Sequence, residues 1–183
     1  KVLRYIGKKY ITARREMGFL VPSKGYEYAT IKGHKCAIIV GDDLSRERDF
    51  DQSVETVISI NARKYGKGTM TYRYEMMRNL AFVESKNLVL VNQVGGSTDI
   101  VYDGTSGALN SRGELVLMMK NFEEDFQIFD TKASARPISI PSTYNDRTRL
   151  VYEAARCGLR DFFRKNGYRK ASIGLSGGID SAV

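Results

Sequence analysis

The chain has 183 residues, with 29 Lys and Arg against 21 Asp and Glu for a formal charge of +8; 42% of residues are hydrophobic and 27% charged. That composition excludes disordered, collagenous and coiled-coil classes, and no apolar run approaches the roughly 20 residues of a helical membrane span. Two cysteines, Cys36 and Cys157, and one histidine, His34, are too few for a disulfide scaffold and leave little for a zinc site, so a reducing cytosol is the expected setting.

In chain order, the Val- and Ile-rich runs from Lys35 to Val40 and from Thr56 to Ile60 read as buried strands. Tyr72, Met76, Leu80 and Val83 fall at helical spacing and predict an amphipathic helix over Thr69 to Lys86. A third strand is expected over Asn87 to Val94. After Gly95 and Gly96 the period changes to two, predicting strands near Asp99 to Tyr102, Ser106 to Leu109, Glu114 to Met118 and Phe126 to Phe129. An α/β layered domain with a meandering edge follows. Residues 133–143 hold two of the three prolines and read as a surface connector. Asn145 or Asp146 can cap a helix whose apolar stripe is Leu150, Val151, Ala154, Ala155, Leu159, Phe162 and Phe163, with Gly167 as its stop. Ala171 to Leu175 is expected to be a short strand leading into Ser176-Gly-Gly-Ile-Asp-Ser181. The basic residues Arg160, Arg164, Lys165, Arg169 and Lys170 read as a solvated face, since no aromatic pattern accompanies them and nucleic acid is not the expected partner.

The loop at 176–181 carries the strongest chemical signal. Gly177 and Gly178 permit close backbone approach to a ligand, the hydroxyls of Ser176 and Ser181 add donors, and Asp180 beside a polyphosphate calls for a magnesium ion between them. The Walker spacing is absent. A plain Gly-Gly turn between strand and helix is the alternative.

Ser176, Gly177, Gly178, Ile179, Asp180 and Ser181 match the SGGxDS signature of the PP-loop ATP pyrophosphatases, and NQVGGSTDIVYDGTSG at 92–107 resembles a stretch of the amidase domain of glutamine-dependent NAD synthetases. The resemblance extends over nearly the whole chain. It implies a partial nitrilase-like αββα sandwich over 1–132, a linker over 133–144, and over 145–183 a linker helix with the first strand and loop of a Rossmann-like ligase domain. The chain is then expected to be a piece of a longer cytoplasmic, homo-oligomeric enzyme. That enzyme would use ATP and Mg2+ to amidate deamido-NAD, with glutamine or ammonia as nitrogen source.

The resemblance also implies site residues. Lys8 matches the oxyanion-stabilising lysine of the family's Glu, Lys and Cys triad, with Lys9 as the adjacent alternative. Glu16 matches a supporting glutamate, and the general base would precede Lys1. The family's nucleophilic cysteine position is held by Gly41, in Val40-Gly-Asp-Asp-Leu-Ser45, and glycine cannot form a thioester. Cys36, five residues earlier, is expected on the opposite strand face and apolar in role. Cys157 is expected to be buried. SINARKYGK at 59–67 matches only loosely the family's run beside the glutamine pocket. The readings that follow are an NAD synthetase with an inactivated amidase domain, a non-catalytic amidase-like scaffold, or another PP-loop ligase.

Overall fold

Runs of β-branched residues build the centre of the fold, and parity decides which face each side chain takes. The computed structural model describes residues 5–11, 17–25, 27–46, 50–131 and 136–182. Its strands are β1 (Glu27–Ile31), β2 (His34–Val40), β3 (Thr56–Asn61), β4 (Asn87–Asn92), β5 (Val94–Ser97), β6 (Ile100–Asp103), β7 (Gly107–Leu109) and β8 (Leu115–Met118). Six form one sheet in the order β1-β2-β3-β4-β7-β8, while β5 and β6 make a separate hairpin. Strands β2, β3 and β4 are parallel, with Cys36 opposite Thr56 and Thr56 opposite Asn87; β1, β7 and β8 run antiparallel to their neighbours.

Helix α1 (Thr69–Glu84) covers one face of the sheet. Ala37, Ile39, Val57, Leu88 and Leu90 pack in one cluster with Tyr74, Met77, Leu80 and Ala81 of that helix, and each fully buried Leu contributes about 2 kcal/mol. On the opposite face Ile60 and Val91 are about half exposed, at 48% and 49%. The predicted helix is present, but its buried face differs from the expected one. Tyr72 and Val83 are exposed, and the stripe through Met70, Arg73, Tyr74, Met77, Leu80 and Ala81 is buried instead. A charged arginine inside that stripe obscured it.

Helix α2 (Arg147–Asn166) begins and ends as its capping residues dictate. The Asp146 carboxylate accepts from Arg149 N–H, and Gly167 at φ +70 returns its N–H to the Arg164 carbonyl. Its buried face is Leu150, Ala154, Cys157 and Asp161, whereas Val151, Leu159 and Phe162 are exposed, so the expected stripe is rotated toward the helix's smaller residues. Small residues permit close approach: a methyl group added at Gly96 would lie 3.0 Å from Gly158 Cα.

Three further expectations differ. Phe126 to Phe129 is not a strand; the Asp125 carboxylate draws in Lys120 N–H, Phe126 N–H and the Gln127 amide, offering the backbone a local alternative to pairing. Ala171 to Leu175 is exposed and forms no strand, with no pairing partner among the described residues, so the first strand of a ligase domain is not formed here. Strand β1 was not anticipated. Its turn, Lys32 at φ +48 and Gly33 at φ +85, is a two-residue hairpin connection hidden by the lysine at the first position.

Candidate active-site elbow

Strand β2 stays extended through Val40 and reverses at Gly41, which sits at φ +63 and opens a 3-10 turn, Gly41–Ser45. This left-handed corner at a strand's carboxyl end presents residue 41 outward. Lys8 lies against it: a side chain begun at Gly41 would place its β-carbon 3.3 Å from Lys8 Cε and 3.5 Å from Lys8 Nζ. Lys8 and Gly41, far apart in sequence, are therefore brought together.

The next two residues hold the lysine there. The buried Asp43 carboxylate accepts from Lys9 N–H at 2.9 Å and Tyr10 N–H at 2.8 Å, clamping the segment that carries Lys8. Bonds to a charged acceptor are worth about 1.5–3 kcal/mol each. Asp42 lies between two cations, 3.9 Å from Lys8 Nζ and 3.4 Å from Arg63 Nη2, and Arg63 Nη2 also reaches the Gly41 carbonyl at 3.5 Å. The Lys9 ammonium sits 5.4 Å from the Tyr10 ring centroid, so Lys8 is the lysine at the elbow. Glu16 lies outside the described residues.

A lysine ammonium here can stabilise an oxyanion, but Gly41 has no atom with which to attack a carbonyl. Cys36 does not replace it. It is buried on the face of β2 opposite Ala37 and Ile39, its Sγ directed at the His34 carbonyl, and burial together with Glu55 pushes the thiol up. Five residues of strand separate it from Gly41, on the order of 16 Å.

Residues that the sequence reading passed over support the elbow from below. Arg63 N–H donates to Asn92 Oδ1 at 2.9 Å and Arg63 Nε reaches Asn61 Oδ1; Asn61 and Asn92 are register partners at the ends of β3 and β4. Asn92 Nδ2 continues to Asp103 Oδ1 at 3.1 Å, and buried Arg73 Nη2 donates to both Asp103 oxygens, at 2.8 and 3.0 Å. An asparagine closing each of two apolar strand runs was the available signal.

The hairpin beyond this network grips α2. Asp161, 2% exposed, accepts from Gly96 N–H at 2.8 Å and Arg160 Nε at 3.1 Å, while Lys165 Nζ donates to the Gly96 carbonyl. Arg160 and Lys165 are exposed, as the solvated-face reading expects, and each also bonds the hairpin or its acid. Burial pushes the Asp161 carboxyl up, but the Gly96 N–H and the Arg160 guanidinium outweigh it and hold it below the ordinary carboxylate range. A depressed folded value contributes stability that is present above the unfolded value of about 3.9 and is lost as pH falls through the folded one. Exchange of the Gly96 amide hydrogen is therefore expected to stay slow above about pH 4 and to accelerate in acid beyond the intrinsic trend. Asp161→Asn should remove that acceleration; an unchanged acid response in the variant would contradict the assignment. Cys157 is buried as expected, its thiol pushed up by burial.

The loop at 176–181 folds onto its own hydroxyls. Ser176 Oγ and Ser181 Oγ are 3.0 Å apart, Gly178 N–H points to Ser176 Oγ at 3.4 Å, and Gly177 takes φ +83 ahead of a short helical turn, Ile179–Ala182. Asp180 in that turn is exposed. One carboxylate suits a magnesium ion shared with phosphate oxygens, and among the described residues no group of three acidic, His or Cys side chains could hold a metal unaided. Nor is any helix among them long and apolar enough to cross a membrane.

No family model matches the chain. Among curated proteins, the glutamine-dependent NAD(+) synthetase of Acinetobacter baylyi is 30% identical over 169 residues, 88% of this chain and 31% of that protein. Among solved structures, the glutamine-dependent NAD+ synthetase from Acinetobacter baumannii, in complex with ADP, superposes with a TM-score of 0.80 at 28% identity, over 100% of this chain and 36% of its own. A Nesterenkonia amidase of the nitrilase superfamily shares the fold alone, with a TM-score of 0.54 at 14% identity over 79% of this chain and 54% of its own. The chain thus spans about a third of the length of the synthetases it matches, and the mixed sheet with its helix layer is part of a nitrilase-like fold. On its sequence and its fold, the chain belongs to the glutamine-dependent NAD(+) synthetase family.

Proposed function

We propose that this chain is part of an ATP-dependent NAD synthetase whose amidase lobe does not hydrolyse glutamine. The observation that carries the reading is Gly41, with no side chain at the elbow that Lys8 faces, in a chain related to synthetases along most of its length. In the proposed reaction the nicotinate carboxylate of deamido-NAD attacks the α-phosphorus of ATP and releases pyrophosphate. Ammonia then attacks the acyl carbon, AMP leaves, and the amide nitrogen gives up its proton. Ser176, Gly177, Gly178, Ile179 and Ser181 are assigned to the phosphates. Asp180 would hold Mg2+, which supplies positive charge to the departing pyrophosphate.

The division into 1–132, 133–144 and 145–183 is kept as part of the proposal, with α2 as an arm bonded to the first lobe through Asp161 and Gly96. A cytoplasmic homo-oligomer is proposed on the same family grounds. Residues 1–132 then act as a scaffold, a second reading that Gly41 favours; another PP-loop ligase would leave the synthetase relatives unexplained. The test is product formation by the whole protein given deamido-NAD, ATP, magnesium and ammonium. NAD, AMP and pyrophosphate in equal amounts are expected, and Ser181→Ala should slow all three together. No NAD from ammonium would refute the reading.

A further inference from the structure

A second feature lies apart from both the elbow and the loop. Between the connection leading into α1 and the first turn of α2 is a cavity of about 670 Å³, the size range of small-molecule sites. Its floor is buried Met70 and Leu150, and Tyr65 and Tyr144 form walls. The walls are pinned. The Tyr65 ring packs edge-on against Phe122 with centroids 5.2 Å apart, its N–H donates to the Val101 carbonyl, and the Tyr144 hydroxyl donates to the Met119 carbonyl at 3.0 Å.

Charge at the rim has one sign. Lys67 and Arg147 both line the cavity, and no carboxylate does among the described residues. Arg147 occupies the first turn of α2, where the helix dipole disfavours a cation, and no acidic residue in that turn offsets it. The nearest acid in sequence, Asp146, is engaged as the helix cap. Two cations beside a rigid apolar floor break a local rule that folding alone would have kept, and such places are where ligands bind. We infer that this cavity binds an anion carrying a flat ring, the chemistry of a nucleoside monophosphate: Lys67 and Arg147 take the phosphate and the ring lies on Met70 and Leu150 between the tyrosines. The site is independent of the synthetase reading, since it uses neither Gly41 nor residues 176–181.

The experiment follows the Met70 methyl resonance while the chain is titrated separately with AMP, adenosine and ribose 5-phosphate. AMP is expected to shift it with a dissociation constant below about 1 mM, and each fragment more weakly. Lys67→Gln and Arg147→Gln should each weaken AMP about tenfold and leave adenosine unchanged; both positions are exposed, so the fold is preserved. The paired change Ser176→Ala, Ser181→Ala should leave the Met70 shift intact, which separates this cavity from the phosphate loop. The inference is overturned if AMP moves Met70 no more than ribose 5-phosphate does, if neither rim variant weakens it, or if the loop variant abolishes the shift.

Discussion

Gly41→Cys is expected to create a thiol that alkylates at pH 7 at least about tenfold faster than Cys36 or Cys157, because an ammonium 3.5 Å from the new β-carbon favours the thiolate. The two native thiols are buried and pushed up, so they report the unactivated rate within the same molecule. Two costs accompany the change. A side chain at φ +63 is strained by about 1–2 kcal/mol, and Lys8 Cε at 3.3 Å must yield by a few tenths of an ångström, which the end of a flexible side chain can do. Mass spectrometry after timed iodoacetamide exposure reads the outcome, and Lys8→Met should return the new thiol to an ordinary rate. A residue-41 thiol labelled no faster than Cys36 would show that the elbow no longer activates a nucleophile.

Asp103→Ala is expected to destabilise the fold by about 3–5 kcal/mol, the largest effect of any single substitution considered, because it leaves the Arg73 guanidinium buried without its carboxylate. Arg73 already has Nε buried without a partner among the described residues, and its bond from Nη1 to the Gly104 carbonyl, at 3.1 Å, cannot offset a lost ion pair. Asn92 Nδ2 and Thr105 Oγ1 lose an acceptor at the same time. Urea unfolding should show the midpoint fall with the slope unchanged. Replacing both ends, Arg73→Met with Asp103→Ala, should cost less than Asp103→Ala alone, since no charge is then stranded. A loss under about 1 kcal/mol for Asp103→Ala would mean that water reaches the pair.

What the sequence revealed follows a physical division. The parallel strands were legible because both of their faces are largely apolar, and helix α2 because Asp146 and Gly167 mark its ends with specific hydrogen bonds. Helix faces were harder. Tyr72 and Val83 are apolar but exposed, while Arg73 and Asp161 are charged but buried, and their distant partners Asp103 and Gly96 help make that burial possible. No local pattern encodes a partner 30 or 65 residues away. Phe126 and Ile128 alternate as a strand would, yet Asp125 captures the Phe126 N–H and the Gln127 side chain locally.

The elbow shows the same division. Gly41 could be placed at the end of a strand from the sequence, and Lys8 only through family resemblance; the structure sets the two side by side through Asp43, whose clamp on Lys9 and Tyr10 has no sequence signature beyond an Asp-Asp pair. Arg63 and the two strand-end asparagines sit in the loosely matched run and at the ends of apolar segments, so the hold of the asparagines on Arg63, which alone of the three reaches the elbow, emerges only when β3 and β4 pair.

The most direct test of the central claim uses nitrogen isotopes. The whole protein is given deamido-NAD, ATP and magnesium with amide-15N glutamine and unlabelled ammonium together, and the mass of the product carboxamide is read. A product carrying only unlabelled nitrogen is the predicted result, because an elbow with glycine at position 41 releases no ammonia from glutamine. A product carrying 15N would contradict the account and place a working nucleophile elsewhere in the amidase lobe.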